Sequence, residues 1–449
     1  MKNTPINLNA THDPQLRSWV DSANVAGCDF PIQNLPFAAF RPQGSQEAAR
    51  CGVGIGDQIL DIGACLQLFT GDARKAADAC TEPHLNALMA LGNQAASALR
   101  AALSRLLCAG NEEHRAVLTA ALIPMSRAEL LLPVKIAGYT DFFASVHHAT
   151  NAGRLFRPDA PLLPNYKYVP VAYNGRANSI RVSGDRVQRP WGQLKAADQA
   201  APVFAPAKRL DYEVELGMYI GTPSKDGEPV DVANAWNHIF GFSLLNDWSA
   251  RDVQSWEYQP LGPFLAKNFA TSVSPWVVTA EALAPFRVAV AARAEGDPAP
   301  LPHLFNAADQ VGGALNIRID ATLRTARMRE ANAPAHALSR SNTETLYWSF
   351  AQMVTHHSSN GTALDTGDLM GSGTVSGAGQ DALGSLLEIT RGGAEGMQLA
   401  ATGERRSFLE DGDEVTFHGR CERDGFVPIG FGVCTGTLLP AVSRETSTP

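Results

Sequence analysis

The stretch "DYEVELGMYIG", Asp211 to Gly221, decides how the rest of the chain is read. Its "VELGMYI" core is rich in β-branched, aromatic and large apolar residues and stops at Gly221, which predicts a buried or half-buried strand. Glu213 and Glu215 stand two apart on it. A strand repeats every two residues, so both carboxylates lie on one face, roughly 7 Å apart along the chain. On a solvated outer face that pairing is harmless. On a buried face two like charges are desolvated together, and a cation has to balance them. Hard divalent ions such as Ca²⁺ and Mg²⁺ suit the role, because they take oxygen ligands from separate segments.

Working outward, two further carboxylates sit in apolar surroundings. Asp247 ends the strand-like run in "IFGFSLLNDWSARD", and Asp141 lies in "AGYTDFFASVHHATN". Arg251 and Lys267 follow as cations able to offset a four-carboxylate cluster. An isolated Asp after a strand is equally a turn former or a helix cap. His148 stands seven residues after Asp141, a spacing that on a helix returns to nearly the same face. A metal ligand and a base for water could then enter one cavity, since histidine titrates near neutrality; the alternative is a structural histidine. His356 and His357 end an amphipathic segment and read as structural or capping residues. "GSGTVSGAG", Gly371 to Gly379, either presents backbone N–H groups to an anion or is a flexible loop. Glu388, in the strand-like "SLLEIT", is an outer-face residue or a buried partner that orients a histidine. No serine-hydrolase elbow with ordered His and Asp partners is present.

The whole chain sets the frame. Its 449 residues are 45% hydrophobic and 18% charged, enough for a large core and two or three domains. A net charge of −8 without long single-sign runs points away from nucleic acid and from a basic membrane patch. No apolar run is long enough for a transmembrane helix, and "MKNTPINLNATHDP" lacks a signal-peptide core. The seven cysteines are odd in number, scattered and without a Cys-x-x-Cys pair, so reduced thiols in a cytoplasmic protein are expected. Residues 30–63 read as short strands, with "GIGDQILDIG" a hairpin, and 73–130 as helices. From Leu131 onward short strands alternate with Gly- and Pro-rich turns, with helices expected only at about 137–150, 231–239 and 342–357. The fold class is therefore mostly β (α+β), divided into residues 1–131 and 132–449. "SRETSTP", 443–449, reads as a frayed tail.

The segments "YTDFFASVHHATNAGRLFRPDAPLLPNYKYVPVAYNGRANSI", "LDYEVELGMYIG", "HIFGFSLLNDWSARDVQSWEYQPLGPFLAKNF" and "GSGTVSGAGQDALGSLLEIT" resemble the fumarylacetoacetase family. "DFPIQNLPFAAF", "GVGIGDQILDI" and "FLEDGDEVTFHG" extend the resemblance over nearly the whole chain. It implies an N-terminal SH3-like small barrel and a C-terminal mixed β-roll. It implies hydrolytic C–C cleavage of 4-fumarylacetoacetate, the β-diketone held at a metal and water activated by a histidine, as the last step of tyrosine and phenylalanine breakdown. By position, Asp141, Glu213, Glu215 and Asp247 fall on Ca²⁺ ligands. His148 falls on the base and Glu388 on the carboxylate orienting it. Arg251, Gln254 and Lys267 fall on oxyanion- and substrate-stabilising groups. Phe143, Arg157, Tyr173, Gln254, Tyr258 and Thr374 fall on substrate positions. A second, structural Mg²⁺ would use Asp247, the Lys267 carbonyl and Thr271. The resemblance also implies a homodimer. Two departures stand out: Phe143 replaces a usual tyrosine, and His147 a common glutamine. The competing expectations are a sister activity, acylpyruvate hydrolysis or oxaloacetate-type decarboxylation, and a silent Ca²⁺-stabilised scaffold.

Overall fold

The computed structural model describes residues 8–444; the first seven residues and most of the expected tail at 443–449 lie outside them. The chain is mostly β. The Val214–Ile220 strand forms where the alternation predicts it, fully buried, at the heart of an eight-stranded sheet. Across that sheet the order is Ala172–Asn174, Tyr139–Phe142, Leu369–Gly371, Val214–Ile220, Ile239–Asp247, Thr271–Val273 and Ile180–Val182, with Val278–Thr279 also paired to Ile239–Asp247. The central pair is antiparallel, with Val214 opposite Asn246 and Leu216 opposite Leu244. Tyr139–Phe142 runs parallel to Leu369–Gly371, so Asp141 is fixed by a strand more than two hundred residues away.

Alternation along these strands sorts the sheet into two faces. Val214, Leu216, Met218, Phe242 and Leu244 pack into one core with Ile319, Leu323, Val415, Phe417 and Phe431. Those partners belong to a second, five-stranded sheet in the order His336–Asn342, Arg318–Arg324, Glu414–Cys421, Ile429–Leu439, Arg186–Gln188. On the opposite face, Tyr139, Tyr219, Leu245, Val273 and Leu369 pack into a core shared with Phe37, Val53, Leu60, Leu88, Leu99 and Leu103. That face also carries Asp141, Glu213, Glu215, Asp247 and Thr271, by the same period of two. The apolar half of one sheet face is thus covered by the N-terminal elements, and its other end holds the carboxylates.

The N-terminal elements are a five-stranded antiparallel sheet in the order Leu122–Pro124, Gln58–Asp61, Arg50–Ile55, Phe37–Pro42, Ala128–Leu131; the helices lie in sequence between Gln58–Asp61 and Leu122–Pro124, so the end of the expected helical region 73–130 returns to the sheet as strands. The expected hairpin is present, with Ile55 opposite Gln58. The helical run at 84–107 is two helices, Asn86–Ala90 and Asn93–Leu107, because Gly92 between them adopts φ +82°. Such a left-handed turn suits glycine and ends the first helix.

Several local expectations are corrected. Residues 137–150 are a strand, Tyr139–Phe142, and then a helix, Val146–Phe156, started by Ser145, whose Oγ accepts from the His148 N–H. Asp141 and His148 are therefore not on one helix face. The helix expected at 231–239 shrinks to one 3₁₀ turn, Ala235–Asn237, before the long strand begins at Ile239. The helix expected at 342–357 starts at Phe350, behind a Ser349–Gln352 capping box. "SLLEIT" is no strand: Leu386–Ile389 is a single helical turn capped by Ser385, since a serine ahead of the segment competes better as a cap than in a ladder.

Candidate active site

Asp141, Glu213, Glu215 and Asp247 converge at the open end of the sheet face. Each offers an oxygen, all within 4.8 Å of one another, and all four are buried. Glycine makes the crowding possible: a Cβ at Gly371, in the strand between those of Asp141 and Glu215, would stand 2.4 Å from Asp141 Oδ1 and 2.9 Å from Glu215 Oε2. Lys267 Nζ bridges Glu213 Oε2 and Asp247 Oδ2 at 2.6 Å each. Arg251 Nη1 meets Glu213 Oε1 at 2.7 Å and Gln254 Oε1 at 3.1 Å. Its Nε meets Asp211 Oδ2 at 2.9 Å. Tyr173 OH donates to Asp247 Oδ2 (2.7 Å), Thr271 Oγ1 to Oδ1 of the same residue (3.3 Å), and the Gly373 N–H to Asp141 Oδ1 (3.2 Å).

Two cations do not balance these carboxylates. Burial favours the neutral form of Glu213, but the charges of Lys267 and Arg251 outweigh it and hold Glu213 well below the usual range. Burial, then Asp141 and Asp247, push Glu215 far up. Asp141 is raised by burial and by Asp247. Both Glu215 oxygens are buried without a hydrogen-bond partner. An unpaired buried carboxylate beside like charges is costly unless a cation joins it. An all-oxygen set with one unsatisfied carboxylate fits a hard divalent ion.

A second cluster lies alongside. His148 Nδ1 is 2.7 Å from Glu388 Oε2, with both side chains buried. Asn151 Nδ2 donates to Glu388 Oε1, and Ser376 and Ser385 hydroxyls to Oε2, each at 2.9 Å. Burial raises the Glu388 carboxyl, but the His148 charge and these hydrogen bonds outweigh it and bring it down to about 2. A carboxylate accepting Nδ1–H leaves the Nε2 lone pair of His148 free for a proton. Phe143 packs edge-on against the His148 ring, centroids 5.3 Å apart at 86°, and its carbonyl accepts from Tyr166 OH.

The remaining sequence-predicted residues are placed as follows. Thr374 is buried with Oγ1 unpartnered, in the 371–377 segment, which is a buried wall and not a flexible surface loop. Tyr258 caps the Arg251–Glu257 helix, which positions Arg251 and Gln254. Arg157 follows the His148 helix and donates to Pro161 O. His356 and His357 end their helix, and His357 Nε2 bonds Thr140 Oγ1, on the opposite face of the strand from Asp141. Sequence reasoning missed Asp211, Asn151, Ser376 and Ser385. For Asp211 a signal existed: it extends the Glu213/Glu215 alternation one step back.

Known proteins give a consistent comparison. The family description "Fumarylacetoacetate (FAA) hydrolase C-terminal" matches residues 138–438, and "Fumarylacetoacetase N-terminal" matches 33–133. The chain is 44% identical to the fumarylacetoacetase of Bos taurus over 420 residues, 92% of this chain and 97% of that one. It is 45% identical to that of Caenorhabditis elegans over 92% of this chain and 97% of the relative, and 42% to that of Arabidopsis thaliana over 95% and 99%. A solved fumarylacetoacetate hydrolase from Exiguobacterium antarcticum aligns with a TM-score of 0.50 over 90% of this chain and 99% of that one; at 17% identity it speaks for the fold alone.

Proposed function

The chain belongs to the fumarylacetoacetase family, and from that premise we infer that it is a hydrolase cleaving the C–C bond of 4-fumarylacetoacetate to fumarate and acetoacetate, in the breakdown of tyrosine and phenylalanine. The observation that carries the reading to atoms is the buried His148–Glu388 pair beside a four-carboxylate cluster. Asp141, Glu213, Glu215 and Asp247 would hold the divalent ion, which when bound polarises a substrate carbonyl as a Lewis acid.

The roles of the chain's own residues follow from their free atoms. His148 Nε2 takes a proton from water, with Nδ1–H anchored on Glu388. The resulting hydroxide forms a C–O bond at the carbonyl next to the fumaryl group. Arg251 Nη2 is buried and unpartnered, so its N–H groups are available to the oxyanion. Gln254 uses Oε1 toward Arg251, which leaves its amide N–H₂ to donate. Lys267 adds the charge of its ammonium. Such a donor is often worth roughly 3–4 kcal/mol to the transition state. Collapse breaks the C–C bond, and the acetoacetate carbon receives the proton that His148 took, so one water is consumed and His148 is regenerated. Arg157, Tyr173, Tyr258, Thr374 and the Phe143 wall would position the substrate. Tyr173 already donates to Asp247, so it would serve the carboxylate cluster as well.

The same reading proposes Ca²⁺ at the carboxylates, Mg²⁺ at Asp247, Thr271 and the Lys267 carbonyl, and a cytoplasmic location. No helix of the described residues is long and apolar enough to cross a membrane, and all seven cysteines are free thiols. It also divides the chain at 131/132, with an SH3-like N-terminal barrel and a C-terminal β-roll. Purified protein should consume 4-fumarylacetoacetate and release fumarate and acetoacetate in equal amounts. Turnover of acylpyruvates or oxaloacetate in its place would overturn the reading.

We further expect a homodimer through the C-terminal β elements, with an interface above about 1,000 Å². Light scattering at micromolar concentration should give twice the chain mass, and a monomer there would contradict it.

A further inference from the structure

Asp211 takes no part in the chemistry described above, yet it is fully buried and its two oxygens accept four hydrogen bonds. Oδ1 accepts from the backbone N–H groups of Leu386 (2.8 Å) and Tyr212 (2.9 Å). Oδ2 accepts from the Leu387 N–H (2.9 Å) and Arg251 Nε (2.9 Å). Leu386 and Leu387 open the helical turn on which Glu388 sits. One carboxylate therefore joins the arginine of the carboxylate cluster to the element that carries the partner of His148.

We propose that Asp211 is the positioning residue that sets the distance between the Arg251 guanidinium and the His148–Glu388 pair. The inference rests on the hydrolase reading above. A guanidinium is a rigid fork of five N–H donors. Asp211 occupies the Nε edge and Glu213 with Gln254 occupy Nη1, which leaves Nη2 as the edge free to reach a developing oxyanion. Without the Nε contact the fork can rotate about its stem toward Glu213. At the other end, the turn at 385–389 loses the acceptor of its first two N–H groups, and Glu388 loses the fixed base beneath it. Two groups that act on one transition state would then drift relative to each other, and a displacement near 1 Å can lower a rate about 10²-fold. Ground-state binding of the substrate does not pass through either contact, so kcat should carry the loss and KM should not.

The test compares wild type, Asp211→Asn, Asp211→Glu, Arg251→Ala and the Asp211→Asn/Arg251→Ala double variant on 4-fumarylacetoacetate, with cation content measured on each. Asp211→Asn should lower kcat about 10²-fold while KM stays within about threefold and the divalent cation is retained. Asp211→Glu keeps the charge but moves the oxygens by one methylene, so it should also be slow; it carries the test if the Asn variant does not fold. The double variant should be slower than Arg251→Ala, but by less than the Asp211→Asn loss in the wild-type background, because only the Glu388 end is then left to disturb. Wild-type kcat in either Asp211 variant, or losses that multiply in the double variant, would overturn the proposal. A wild type that does not cleave 4-fumarylacetoacetate overturns the hydrolase reading and this inference with it, a result distinct from an active wild type with indifferent Asp211 variants.

Discussion

Glu215→Gln should strip the protein of its divalent cation and slow turnover by about 10³-fold, while making the cation-free protein more stable than cation-free wild type. The rate follows from the Lewis acid: several kcal/mol of transition-state stabilisation, at 1.36 kcal/mol per tenfold, is about three decades. The stability sign follows from the site. Glu215 is fully buried, both its oxygens lack partners, and Asp141, Asp247 and Glu213 all oppose its charge. A glutamine of the same shape removes that opposition, as neutral replacements of uncompensated buried charges do. Added cation should reverse the order. Wild type gains about 2.7 kcal/mol when the ion is at a hundred times its dissociation constant, and the variant gains little. Melting temperatures with chelator and with excess Ca²⁺, alongside metal content and rate, check all three statements. Full turnover of chelated wild-type protein would end the metal reading. Glu213 is a poorer probe, because its removal also takes one of the two carboxylate partners from each of Lys267 and Arg251.

Parts of this site are legible in the chain because they are local. Glu213 and Glu215 lie next to and within one strand, and the period of two alone puts them on one face. Asp247 ends the neighbouring strand, and Arg251 comes four residues later on the helix that strand leads into. What failed to show locally depends on partners far away. Asp141 is read into a helix by its neighbours, yet the parallel strand at 369–371 makes it a strand residue. Glu388 sits among β-prone residues, and one hydroxyl, Ser385, together with the Asp211 carboxylate, turns the segment into a helical turn. His148 still reaches the carboxylates, but by a strand and a cap and not by helical repetition. The covering of the sheet by the N-terminal helices is also invisible locally. Amphipathic spacing says that the Asn93–Leu107 helix has an apolar face, and only the fold says that Tyr219 and Leu369 lie in the core it covers.

His148→Ala should leave the cation bound and the melting temperature nearly unchanged, and should lower the rate by the roughly 10²–10⁴-fold typical of a lost general base. Stability should survive because Glu388 keeps three other donors, Asn151, Ser376 and Ser385. The Glu388 carboxyl is held at about 2 by partners that outweigh its burial, so it stays ionised through the neutral and mildly acidic range. Its stabilising contribution is full above the unperturbed 4.5 and fades only as pH falls through about 2. Glu388→Gln should slow the reaction as well, since an amide supports the imidazolium less well than a carboxylate does. The two substitutions should be non-additive, because both act on one proton transfer. The neighbouring residue supplies the control. His147 is half-buried one step further round the helix and has no part in the Glu388 network, so His147→Gln should keep most of the activity. A dead His147 variant beside an active His148 variant would move the base off His148, and the Glu388 network would then need a different purpose.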